Sequence, residues 1–558
     1  SLYIKENKLF KKSRYRPEID GLRAFAVIAV IINHFNKEIL PSGYLGVDIF
    51  FVISGFVITS SLYQRSSKNF KDFISGFYER RIKRLVPALS IYVCIASIAI
   101  CLFNPMPRLS LKTGLASLFG LSNLYLLDNA TDYFAQSTEF NVFTQTWSLG
   151  VEEQFYILFP ILIWFSGFGR QTKNGMRNLF LTVVVLTIMS LLGFLYLYPI
   201  NQSAAYFLMP TRFWEMASGC LLFIGFQKRK SIEQILSKVP PILILALMVG
   251  IMYLPVSYAT VSTVAIVALS GILIGSLKKG TAAYSFFTNN KVVYLGLISY
   301  SLYLWHWGVL SISRWTIGIH WWSIPFQLAL IFSLAIGSYK YIETPLRKGS
   351  WFRKRWKNLI LGGGVIIMLA VGLFALGKPL KGKFYKGKFN IKDFVYVQDG
   401  MKCELGISNP TKQPLRCIDK DFDKNTIYIL GDSHASNLVK IVENSFEGTK
   451  YNNVKYLTNH IEIFLRRHSL IGNNWYEDSN IDKILSKTSR NDLIIWSNKQ
   501  IPVGDSKMIS IAKQVEYLFN LSKKTEVSIL IVDDIVSFGG DHNFYSKFSF
   551  YRNGPSVS

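Results

Sequence analysis

The sequence predicts a multi-span α-helical membrane domain, about ten spans plus one linking span, followed by a soluble α/β domain. Three observations carry that expectation. Half of the 558 residues are apolar and 15% are aromatic, while only 17% are charged, against about 25% in an average soluble domain. Uncharged apolar runs recur, such as Leu179–Tyr198 and Ile242–Val261, each long enough to cross a hydrocarbon core of about 30 Å. The net charge of +27 is unevenly placed, because residues 1–388 hold 41 basic and 15 acidic residues while residues 389–558 hold 21 and 20. The expected division is a membrane domain over residues 1–350, a linking span with a basic linker over 351–390, and a soluble domain over 391–558.

Taken in order, apolar segments lie near 21–36, 44–63, 86–104, 112–127, 151–166, 178–198, 206–226, 239–255, 259–277, 292–313, 321–342 and 358–377. Basic residues cluster at the N-terminus, Lys68–Arg84, Arg170–Arg177, Gln227–Lys238, Lys278–Lys291 and Arg347–Lys357. Short cytoplasmic loops concentrate Lys and Arg, and that bias sets orientation. Twelve full spans would strand the loops after residue 166 on the wrong side. Segment 112–127 is the most polar and the richest in Gly and Ser. If it is re-entrant or buried, surrounded by protein, every basic cluster lands inside. Eleven spans then place the N-terminus in the cytoplasm and the soluble domain outside it. Cys94, Cys101 and Cys220 lie in apolar segments and read as small core residues. Cys403 and Cys417 are fourteen residues apart. In an oxidising compartment they would close a loop worth about 3 kcal/mol; the alternative is two unpaired thiols.

An ionisable side chain inside a membrane segment is costly, and is a functional candidate by default. Arg23 and His34 are eleven residues apart in the first segment, so they share one helix face about 16 Å apart. Asp48 is a second buried acid, and Ser54-Gly55 beside it permits close helix approach. Arg80, Arg81 and Arg84, with Lys83, sit at the cytoplasmic end of the third span, where they suit anionic lipid or a polyphosphate. Glu152 and Glu153 open a later span, Arg212 and Glu215 are three apart on another, and His306 lies within Trp305-His306-Trp307.

Together these strings resemble the acyltransferase-3 family of integral-membrane acyltransferases, including bacterial lipopolysaccharide O-antigen O-acetylases. The matching elements are Asp20-Gly21-Leu22-Arg23-Ala24 with Arg23-x10-His34, the Gly46–Phe56 run, Arg80-Arg81-x-x-Arg84-Leu85-x-Pro87, Thr146–Tyr156, Pro210–Glu215, Ser299–Trp307 and Tyr341–Arg347 with Glu343. Seven elements in family order over residues 15–350 form a specific signal. Gln145 departs from it, standing where many relatives carry His. The resemblance implies transfer of an acetyl group from cytoplasmic acetyl-CoA, a co-substrate rather than a bound cofactor, to a lipid-linked or surface glycan outside. It also implies a multi-pass protein of a bacterial inner membrane with a periplasmic C-terminal domain. A thioester is already activated, so the chemistry calls for a base or acyl acceptor near neutral pH, and imidazole is closest. His34 is assigned as base or transient acyl carrier, Arg23 as its orienting or charge-stabilising partner, and Arg80, Arg81 and Arg84 as the grip on CoA.

In the soluble domain, Thr426–Leu430 reads as a strand ending in Gly431-Asp432-Ser433-His434, with a helix after it. Such a turn exposes Ser433 and aims a helix N-terminus at a developing oxyanion. The string resembles the first block of SGNH hydrolases, which implies a flavodoxin-like α/β fold, with Asp492–Trp496 and Val527–Val532 as further central strands. Asn498 matches the oxyanion-donor asparagine block. No Asp-x-x-His string follows Ser433, so the expected chain stops short of that motif. His434, His460, His468 and His542 are left unassigned.

The favoured reading is a transmembrane O-acetyltransferase acting on a surface polysaccharide, with O-antigen as the leading acceptor and Ser433 receiving or passing on the acetyl group. A transporter using the polar stripe and a membrane-anchored carbohydrate esterase are the alternatives. No metal site is expected. Nucleic-acid binding is not expected either, because the basic residues follow membrane sidedness rather than one soluble face.

Overall fold

The computed structural model describes residues 15–386, apart from 64, 66, 105–106, 130–135, 350, 353 and 381–382. Beyond these it describes 426–431, 453–457, 488, 490, 492–497, 518 and 520–531. The chain forms two compact units, Ser1–Lys386 and Gly387–Ser558.

The first unit is helical. Helix α1 (Pro17–Phe35) starts on a proline, with Glu18 and Asp20 in its first turn, where acidic groups offset the helix dipole. α2 (Gly46–Tyr63) follows a single 3-10 turn. α3 (Phe70–Phe103) is capped by the Asn69 side chain, which accepts from the Asp72 N–H. Its 34 residues span about 51 Å, well beyond a hydrocarbon core. α4 (Arg108–Leu118) and α5 (Ser122–Asp128) are separate short helices, divided by a turn in which Gly120 takes φ +66°. Segment 112–127 is thus no continuous span.

There follow α6 (Trp147–Phe165), α7 (Gly175–Leu197), α8 (Gln202–Phe207), α9 (Met209–Lys228), α10 (Lys230–Leu236), α11 (Pro241–Met252) and α12 (Ala259–Ser276). Next come α13 (Ala282–Phe287), α14 (Asn290–Leu297), α15 (Ser299–Trp315) and α16 (Ile324–Gly337). A π-helical turn at Ser338–Glu343 leads into α17 (Thr344–Lys348), and α18 (Arg355–Gly377) closes the unit.

Among the described residues, six helices have the length and apolar composition of a complete span. They are α2, α3, α6, α7, α12 and α18, each with any adjoining turn, and α10 with α11 adds a seventh if that pair, bent by 73°, is one span. The difference from the eleven spans expected lies in α1, α9, α15 and α16; α9 carries Arg212, Glu215 and Lys228. α1 carries Glu18, Asp20 and Arg23 within 19 residues. α15 has 17 residues and α16 has 14, against about 20 for a typical crossing.

α2 and α9 cross at reciprocal glycines. A Cβ on Gly55 would stand 1.7 Å from the Met216 carbonyl oxygen, and one on Gly219 would stand 2.0 Å from that of Val52. Only hydrogen fits at either position, so the two backbones touch. α18 docks on α3 through Arg355, bonded to Asp72, and through Asn358, whose Nδ2 donates to Glu79 at 2.7 Å.

In the second unit, four described strands, β1 (Thr426–Gly431), β2 (Asn453–Leu457), β3 (Leu493–Ser497) and β4 (Ser528–Ile531), form one parallel sheet in the order β2-β1-β3-β4. Ile427 pairs with both Val454 and Leu493. Ile427, Tyr428, Ile494 and Ile495 are buried, as strands covered on both faces require. Ser433, Asn498, Cys403 and Cys417 lie outside the described residues.

Candidate functional site

Two histidines from opposite ends of the first unit's sequence meet in its interior. His34 lies at the end of α1 and His306 in the middle of α15, at 5% and 0% exposure. Their rings are nearly coplanar, 2° apart, with His34 Nδ1 at 2.9 Å from His306 Nε2. His306 Nδ1 is 3.1 Å from the Leu302 carbonyl oxygen, one turn earlier. A carbonyl can only accept, so Nδ1 of His306 carries the proton and its Nε2 is an acceptor. Nδ1 of His34 must then be the donor between the rings, and Nε2 of His34 is left as its lone-pair nitrogen. Trp307 packs edge-on against His34, centroids 4.6 Å apart. The pair therefore has the orientation of a base held by a second group.

Arg23 does not touch this pair. It lines an open cleft of about 780 Å³, adjoining solvent included, together with Arg81 and Arg84 from α3, Ser54 from α2, Glu152, Ser148 and Tyr156 from α6, and Ser299, Tyr300 and Tyr303 from α15. The shared helix face is real, but three turns separate Arg23 from His34. The side chain bonded to the His34 ring is His306 rather than Arg23, so direct contact between Arg23 and His34, which orienting it would need, is not found. The Arg81 guanidinium stacks on Tyr156 at 4.5 Å, and the Tyr156 hydroxyl donates to Glu152. Arg80, one residue and about 100° around the helix from Arg81, is absent from the cleft lining and sits beside Arg355 near Gly76. Two of the three expected arginines thus face the cleft, and Arg23 joins them as a third cation. Tyr303 links cleft and dyad. It lines the cleft, its hydroxyl donates to the Gln145 carbonyl at 3.0 Å, and its ring lies 5.5 Å from that of His306.

The remaining intramembrane polar groups fall into structural sets. Arg212 is bonded to Asp48 at 2.7 Å and to Glu215 at 3.0 Å, all three essentially inaccessible. Phe51, Trp147, Phe194 and Tyr206 ring the same guanidinium at 5.0–5.8 Å. That triad ties α2 to α9 and faces neither the cleft nor the dyad. Glu343, in the π-helical turn, accepts from Ser301 at 3.1 Å and pairs with Arg347 at 3.5 Å. Glu153 lines a second, mostly apolar cavity with Leu118 and Ile366.

Three residues beside the dyad escaped the sequence reading. Arg314 Nη2 donates to the His34 carbonyl oxygen at 2.7 Å, and its Nε pairs with Glu139 at 2.9 Å. Lys37 Nζ pairs with the other oxygen of Glu139 at 2.7 Å. The 3-10 segment Gln136–Phe140 is pinned here by two indoles as well. Trp307 donates to the Asn141 carbonyl and Trp315 to that of Phe140, both at 2.8 Å. A lone Arg in an aromatic membrane segment was the available signal for Arg314. Glu139, in an irregular polar stretch, carried none.

The chain also has relatives. It is 33% identical over 363 residues to the O-acetyltransferase OatA of Staphylococcus aureus, a match covering 60% of this chain and 58% of that protein. It is 30% identical over 396 residues to the peptidoglycan O-acetyltransferase OatA of Listeria monocytogenes, covering 65% and 63%. The matched part is thus less than two thirds of either relative. No solved structure matches the chain. A model of the acyltransferase domain family matches residues 16–342, more than half of the sequence and all the elements that build the cleft and the histidine pair. The chain belongs to that acyltransferase-3 family of membrane proteins.

Proposed function

We propose that the protein is a membrane O-acetyltransferase. It takes acetyl from cytoplasmic acetyl-CoA and delivers it to a hydroxyl of a glycan outside the cytoplasm, with His34 as general base. The orientation of the imidazole pair carries this reading. His34 donates through Nδ1 to His306, which donates to the Leu302 carbonyl, so Nε2 of neutral His34 carries the lone pair that a proton-accepting base needs. The acceptor hydroxyl gives its proton to that nitrogen as its oxygen bonds to the thioester carbonyl carbon. The carbon–sulfur bond then breaks, and the thiolate takes the proton back from His34. Atoms and charge balance without a metal or redox partner.

The cleft supports the donor end. Arg23, Arg81 and Arg84 present three cations suited to CoA phosphates, and the line from Arg23 to His34 along α1 suits an elongated thioester. In this reading the arginine end faces the cytoplasm and the His34 end faces outward, with the C-terminal unit beyond the outer surface of a bacterial inner membrane. The acceptor follows the relatives. The name of the Listeria protein makes peptidoglycan the first glycan to test, ahead of the O-antigen suggested by sequence. The C-terminal sheet supports a hand-off through Ser433. Its order matches the first four strands of the flavodoxin-like arrangement, in which ligands sit at the strand ends where the order reverses. In sequence, Ser433 follows the last residue of β1, Gly431, by two positions.

The test is transfer of radiolabelled acetyl from acetyl-CoA to glycan by full-length protein in vesicles. His34→Ala should lower transfer by about 10²–10⁴-fold while protein remains in the membrane. Wild-type transfer by that variant would overturn the assignment. Acetyl exchange with free CoA that persists without His34 would point to a different acceptor group.

A further inference from the structure

Resting on the assignment of His34 as base, we infer that Arg314, held by Glu139, is the group that stabilises the oxyanion formed at the thioester carbonyl. Arg314 is 9% exposed and lies in the last turn of α15. Two of its three nitrogens are engaged, Nη2 with the backbone carbonyl of His34 and Nε with Glu139. The third, Nη1, is buried and has no hydrogen-bond partner among the described residues. A cationic donor buried without an acceptor is costly to hold, and such a donor beside a base is what oxyanion stabilisation requires. Trp307 brings the two groups together, its ring 4.6 Å from that of His34 and 6.0 Å from the Arg314 guanidinium carbon.

Lys37 and Arg314 share the carboxylate of Glu139, one on each oxygen. When the acceptor oxygen bonds to the carbonyl carbon and its proton moves to His34, the carbonyl electron pair shifts onto oxygen, which accepts the Nη1 N–H bonds. As the pair returns to re-form the carbonyl, the carbon–sulfur bond breaks and the proton on His34 passes to the thiolate. Glu139 acts through Arg314 and is a positioning residue. It fixes the plane of the guanidinium and links it to the segment Gln136–Phe140.

Full-length protein in vesicles is assayed for acetyl transfer from acetyl-CoA, with kcat and KM separated. Arg314→Gln should lower kcat by about 10²–10³-fold with KM for acetyl-CoA unchanged. Arg314→Ala should be partly rescued by added guanidinium, a readout that a purely structural role would not give. Glu139→Gln should lower kcat by a smaller factor, because Arg314 is still present. If Arg314→Gln does not fold, Arg314→Lys, which keeps the charge but not Nη1, is read in the same way. Wild-type kcat in the Gln or Lys variant, or loss of kcat without rescue, overturns the inference. His34→Ala runs alongside. An active His34→Ala protein defeats the base assignment itself, whereas an inactive one beside an active Arg314→Gln defeats only the role of Arg314.

Discussion

At the scale of single residues, the arrangement at His34 resembles a triad in which the third member is a peptide carbonyl. In the proposed mechanism His306 takes the place of the carboxylate in the serine hydrolases, holding one nitrogen of the base so that the other presents its lone pair. Its contribution is orientation rather than charge. His306→Ala should therefore lower kcat by about 10²-fold with little change in KM, while His306→Asn, which keeps an acceptor oxygen, should recover part of the loss. Steady-state acetyl transfer measures both. The sequence marked His34 and His306 separately as costly intramembrane groups but could not pair them, since they are 272 positions apart. Helical periodicity placed Arg23 correctly on the face of His34 and misled on contact, because one face of a helix reaches from the cleft to the dyad. Arg314 went unread because a cation in the last turn of a helix has an ordinary explanation in the helix dipole.

At the scale of elements, the crossing of α2 and α9 carries the site. Residues of α2 line the cleft, and α9 holds α2 through bare glycine contacts and through Arg212. Removing the cation leaves Asp48 and Glu215 buried and uncompensated. Arg212→Met is expected to cost about 3–5 kcal/mol, measured by unfolding in detergent. Gly55→Ala places a carbon against the Met216 carbonyl and should cost about 1–3 kcal/mol. Activity should fall only in step with the folded fraction in both variants, since neither residue meets the cleft. The Gly55 contact was legible in the sequence as a small residue in an apolar run. The triad was legible only as an Arg212–Glu215 pair on one helix and a separate Asp48 on another, because its geometry depends on the angle at which two helices cross.

At the scale of the whole molecule, the proposed mechanism assigns the basic cleft to donor binding and the imidazole pair to the chemistry. Arg81→Ala combined with Arg84→Ala should raise KM for acetyl-CoA at least about tenfold, the equivalent of 1.4 kcal/mol, and leave kcat far less affected. Donor titrations in vesicles provide the measurement. The two-unit division was legible from the change in charge and composition. So were three of the four described strands, β3 and β4 falling within one residue of the segments expected from their β-branched runs, whereas β2 (Asn453–Leu457) was not expected. The number of crossings differed, eleven expected against six or seven helices that are long and apolar enough among the described residues, because helices that line a polar interior are short or carry charges there.

The donor chain that ends on the Leu302 carbonyl has a consequence for the cell. A peptide oxygen that only receives hydrogen bonds is a dead end, so a proton captured at the base cannot be relayed onward through His306 and must depart by the way it arrived. Acid–base catalysis can then proceed inside the bilayer without opening a wire between its two faces. Vesicles holding a pH gradient should keep it through many turnovers, and a protein that discharged the gradient in step with acetyl transfer would show that the chain continues past Leu302.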